Sequence, residues 1–167
     1  MKKLLIALTA GILMLGSVGC SQLETSEDWE RVAPTVTRIT EISFITALQV
    51  DGVKEHKAEL CDVIYQVADV LDKIEDPTTT FDQLQQKALD VVNNSDLPPK
   101  VKQIALIVVD QVLDVTFRYV ETYYNGLMQE DKIKVIVIVT KAVADGFRSA
   151  CDGLPDPATV CKQSVFP

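Results

Sequence analysis

Two segments in the second half of the chain leave it little choice of fold. Over 99–125, at about 100° per residue, Asp110, Gln111, Asp114, Arg118, Glu121, Thr122 and Asn125 share one narrow face. Val101, Ala105, Val108, Val109, Val112, Leu113, Val115, Phe117, Tyr119 and Val120 make the remainder apolar. Over 131–150 the imbalance is greater: Glu130, Lys134, Lys141, Asp145, Arg148 and Asp152 form one strip, and the rest, including "VIVIV" and Phe147, is apolar. Read alone, Val135 to Val139 would suit a buried strand, but the charged strip persists at helical spacing on both sides of it, which favours a helix. A helix that is apolar over more than half its circumference must be covered on two sides. Neither segment is a membrane span: Lys134 and Lys141 break the second into runs far shorter than the ~20 apolar residues a crossing needs. The expected architecture is therefore all-α, a single-domain bundle of about five helices with the last two central.

Three earlier segments supply the outer helices. "TSED" reads as a helix start, with Thr25 as cap and Asp28 three residues on as in a capping box. Val32, Val36, Ile39 and Val50 then recur at helical spacing, predicting a helix over 27–50. Pro34 and the β-branched run "TVTRITEISFIT" oppose it, the first by removing a backbone donor and the second by losing side-chain freedom. After the turn "VDGVKEHK", Val53, Leu60, Ile64, Val67, Leu71 and Ile74 form one stripe opposite Asp51, Glu55, Asp62, Asp69 and Asp76. The threonines of "EDPTTT" start a shorter amphipathic helix carrying Phe81, Leu84, Ala88, Leu89 and Val92, which ends at Asn93-Asn94. "SDLPPK" opens the fourth helix, where proline is tolerated in the first turn.

The N-terminus has a different character. Lys2 and Lys3 precede a 12-residue apolar run, Leu4 to Leu15, which has the length of a signal-peptide core. Small residues follow and end in "GSVGC", with Cys20 directly after Gly19. This resembles the lipobox of bacterial or phage-encoded lipoproteins, in which the cysteine is acylated and becomes the mature N-terminus. Ser17 stands three residues before Cys20, where that pattern usually has leucine. The resemblance implies a removed signal peptide at 1–19, a tether at 20–26, a helical domain at 27–152 and a C-terminal tail at 153–167. It also implies a diacylglyceryl anchor of the palmitate type on Cys20. Two or more acyl chains hold a protein stably where one holds it marginally. Under the family's sorting rule, Ser21 after the cysteine points to the outer membrane, facing the periplasm.

Charge narrows the partners. The chain carries −8, and removing a leader with two lysines and no acid leaves −8 − 2 = −10. Phosphate repels such a domain, so no nucleic acid is expected as partner. Anionic lipid headgroups repel it too, so membrane contact falls to the anchor on Cys20. Three further cysteines remain, Cys61, Cys151 and Cys161, of which at most one pair can form within the chain. "CDGLPDPATVC" is rich in turn residues and can double back, which favours a Cys151–Cys161 bridge pinning the tail. Pairing of Cys61 with either is the alternative.

Nothing in the sequence commits the chain to chemistry. Asp110 and Asp114 are one turn apart, but Arg118 is one turn further and makes Asp114–Arg118 an ordinary i,i+4 pair. His56, the one histidine, falls at the edge of an apolar face near Val63; Glu55 and Glu59 are close in the chain, but no partner is seen to converge on it to make a base. No phosphate loop, nucleophile elbow or metal-ligand spacing occurs, so no cofactor, no metal and no enzyme activity is expected. "FRYVETYYNG" clusters Arg118, Tyr119, Tyr123 and Tyr124, residue types favoured at interfaces, and is a candidate contact surface. The leading reading is a membrane-anchored envelope protein that binds another, unknown envelope protein. The alternative is a module for an apolar, lipid-like ligand held between the last two helices near Val112, Val115 and Ile136.

Overall fold

The computed structural model describes residues 23, 25–74, 79–124 and 129–153. Its elements are α1 (Ser26–Leu48), a short 3-10 turn (Lys54–His56), α2 (Lys57–Asp72), α3 (Phe81–Asn93), α4 (Pro99–Tyr124) and α5 (Gln129–Asp152). The molecule is an all-α bundle of five helices among the described residues. The expected starts are in place. Thr25 caps α1 through a capping box with Asp28, and Thr80 caps α3 through one with Gln83. Pro99 is the first residue of α4, where its missing donor costs nothing.

Pro34 lies well inside α1 and does not end it. The proline deprives the Glu30 carbonyl of its helical donor. Both Pro34 and Glu30 are exposed, so that carbonyl can be hydrated. The buried side of α1 is less apolar than its sequence suggests, with Thr40 and Ser43 buried beside Val32, Val36, Phe44, Ala47 and Leu48.

The principal helix contacts close on themselves in the order α1–α5–α2–α3–α4–α1. Direction follows from named pairs. Cys61 and Arg148's partners Asp69 and Asp72 run against the direction of α5. Gln85 bonds Asp110 while Phe81 stacks on Phe117, so α3 and α4 are antiparallel. Trp29 at the start of α1 meets Tyr119 near the end of α4. Thr37 and Phe44 of α1 meet Ala142 and Phe147 of α5 in ascending order, so these two helices are parallel. A closed ring with an odd number of members cannot be antiparallel at every junction, and α1–α5 is the parallel one.

That junction is also the tightest. Parallel helices align their dipoles unfavourably, and close packing offsets this. Gly146 has no room for a side chain: a Cβ there would stand 2.5 Å from the Thr37 carbonyl oxygen and 2.6 Å from Thr40 Cβ. The Thr37 hydroxyl donates to the Ala142 carbonyl at 3.0 Å across the same seam. Gly146→Ala is expected to cost about 1–3 kcal/mol, because backbone rather than a flexible side chain must give way. Chemical denaturation of the full chain checks this. A stability equal to or above that of the parent would show that the helices separate freely.

Buried side chains from all five helices form one core, with Phe44, Leu48, Leu60, Ile64, Leu71, Leu113, Val139, Val143 and Phe147 fully covered. The buried positions of α4 and of α5 each span roughly half the helix circumference, against a narrow stripe on α3. The last two helices are thus each enclosed on two sides, although their backbones approach one another at few points. α5 is covered by α1 and α2, and α4 by α3 and α1.

Candidate functional site

The α2–α5 seam is fastened by polar and covalent links. Arg148 of α5 bonds Asp69 Oδ1 through Nη2 at 2.9 Å and Asp72 Oδ2 through Nη1, with Asp145 Oδ1 at 3.6 Å. Burial pulls the guanidinium pKa down, but the bonds to Asp72 and Asp69 more than offset it, and the net shift is upward. The Tyr65 hydroxyl donates to Asp152 Oδ1. That bond, with burial adding to it, raises the tyrosine above its ordinary pKa. Beside these lies the disulfide Cys61–Cys151, with Cα atoms 5.7 Å apart. The Cys151–Cys161 pairing expected from the sequence is therefore corrected: the antiparallel run of α2 along α5 places Cys61 opposite Cys151. Cys161, with the tail from 154 onward, lies outside the described residues.

The other residues singled out in the sequence are dispersed. Asp114 Oδ1 accepts from Arg118 Nε at 2.7 Å, as the i,i+4 spacing implies. Asp110 instead accepts from Gln85 Nε2 at 2.8 Å, so the two carboxylates serve different partners and form no acid/base pair. Arg118 is exposed, and its bond to Asp114 raises its pKa. Tyr119 is half-buried, its ring edge-on to the buried Trp29 at 6.1 Å. Arg118 and Tyr119 therefore point to different surroundings. The side chains of Tyr123 and Tyr124 lie outside the described residues, as do Cys20 and Ser21. Val112 and Ile136 are buried in the common core and Val115 packs against it. The side chains named for an apolar ligand are thus occupied with packing.

One concave feature was not anticipated. A half-open groove of about 980 Å³ runs between α2 and α3 and reaches the α3–α4 turn. Its apolar wall is made by Val63, Val70, Val91 and Leu97. Glu59, Asp62, Asp90, Asp96 and Lys87 line it as well. His56 stands at one end, its Nδ1 2.5 Å from Glu59 Oε2. The only sequence signal for this groove was the breadth of polar positions on α2 and α3, which resembles any solvated face. Among the described residues no group of three or more His, Cys, Asp or Glu side chains is placed to hold a metal ion. No described helix is long and apolar enough to cross a membrane. Comparison with protein-family models, with curated proteins and with solved structures finds no match for this chain.

Proposed function

We propose that the chain is a lipid-anchored, non-catalytic protein of the bacterial cell envelope whose helical bundle binds another envelope protein. The observation that carries the reading is the apolar leader ending in "GSVGC", with Cys20 as the acylated residue. The Cys61–Cys151 bridge supports it independently, since structural disulfides persist in exported compartments and are rare where thiols are kept reduced. The acidic surface supports it too: a chain of net charge −8 gains nothing from anionic lipid and needs a covalent anchor to stay at a membrane. The outer membrane, on its periplasmic side, is the favoured address from Ser21.

Cys20→Ser is expected to abolish incorporation of labelled palmitate and to leave the leader uncleaved or the protein released from the membrane. Palmitate labelling that survives the substitution would overturn the reading. So would a mature protein whose first residue is not Cys20.

A further inference from the structure

We infer that the groove between α2 and α3 is the docking surface for a cationic segment of a partner protein, one that carries aliphatic side chains among its lysines or arginines. This rests on the reading of the chain as an anchored interaction protein, and adds where the partner sits and what it presents.

Charge selects the occupant. Glu59, Asp62, Asp90 and Asp96 face the groove against a single lysine, Lys87. Among the described residues none of Asp62, Asp90 and Asp96 forms an ion pair; Asp90 Oδ1 accepts from Gln86 Nε2 at 2.8 Å, which leaves its other oxygen and the carboxylates of Asp62 and Asp96 to an incoming cation. Val63, Val70, Val91 and Leu97 offer aliphatic contact between them. A segment that is only basic would leave this wall wet, and one that is only apolar would strand the carboxylates; a segment carrying both satisfies both. The groove is open along one side, which suits a length of chain better than a small molecule that must be mostly enclosed.

Position selects the same surface. α1 starts a few residues after Cys20, and its 23 residues carry the chain about 34 Å away at 1.5 Å per residue. The α1–α2 turn and the start of α4 lie together at that far end: a Cβ on Gly52 would meet Lys100 Nζ at 2.9 Å. The antiparallel course of α2 and α3 puts His56, Glu59, Asp90 and Asp96 at the same end. One end of the groove, with His56, Glu59, Asp90 and Asp96, therefore lies at the end of the bundle remote from the anchor, where a neighbouring protein has access.

The test uses a synthetic peptide alternating lysine and leucine and bearing a benzophenone, photolysed with the purified full chain, with adducts mapped by mass spectrometry. A glutamate–leucine peptide and a lysine–serine peptide serve as controls. The expected result is saturable labelling of α2 and α3 side chains along the groove by the lysine–leucine peptide alone. Asp62→Asn with Asp96→Asn should weaken it roughly tenfold, as should salt near 1 M, where the Debye length is about 3 Å. Glu27→Gln with Glu30→Gln, at the opposite end, should leave it unchanged. Adducts scattered over the surface, equal loss in both double variants, or labelling by the lysine–serine peptide as strong as by lysine–leucine would each overturn the inference. Because palmitate incorporation is read separately, a failed anchor and a failed groove give different results.

Discussion

Phe147→Ala is expected to lower the stability of the full chain by about 3–5 kcal/mol. Phe147 is fully buried on α5, and its ring meets that of Phe44 edge-on, with centroids 5.7 Å apart. Two losses add. The transfer of the ring from water is forfeited, and the cavity left behind cannot close, because the seam beside it is held at backbone contact by Gly146 against Thr37 and Thr40. For a chain of this size each kcal/mol shifts the melting temperature by about 2–4 °C, so a fall of roughly 10 °C is the expected reading in thermal unfolding followed by circular dichroism. An unchanged midpoint would mean that α5 is not in the core. Some obligate partner would then have to cover its apolar arc.

What could be read from the sequence follows a physical division. The enclosed helices were legible because burial on two sides writes itself into composition: α5 can keep only the strip of Lys134, Lys141, Asp145 and Arg148 polar. The capping box at Thr25 was legible because a cap is a contact between residues three apart; for α3 the threonine cluster marked the start, and the structure adds the box of Thr80 with Gln83. The burial of Thr40 was not legible, since it depends on Gly146, more than a hundred residues away, letting two backbones meet. The parallel junction was hidden for the same reason, as α1 and α5 share no connecting loop. The groove escaped notice because its carboxylates lie on positions that any solvated helix face would fill with acids. Only the pairing of α2 with α3 gathers them.

Removal of the Cys61–Cys151 bridge is expected to destabilise the chain by about 2–5 kcal/mol, by constraint lost from the unfolded state. The cysteines are 90 residues apart, and a loop of that length sits at the upper end of the chain-entropy scale. The turn-rich "CDGLPDPATVC" suggested a shorter ring because nearness in sequence stands in for nearness in space when nothing else is known. The fold reverses that order. α2 runs against α5, and the Cα–Cα distance of 5.7 Å falls within the range a disulfide spans. Cys61→Ser and Cys151→Ser should therefore cost the same, and the double substitution no more than either. Cys161→Ser should unfold with the parent. Thiol labelling after denaturation without reductant should mark Cys161 and spare Cys61 and Cys151. Labelling of Cys61 with protection of Cys151 and Cys161 would restore the short ring. The α2–α5 seam would then rest on Arg148 with its aspartates and on Tyr65 with Asp152. Partly exposed ion pairs of that kind contribute little each. Reductant should lower the unfolding midpoint under either pairing, less for the short ring than for the loop that Cys61 and Cys151 close, so the thiol labelling is what decides between them.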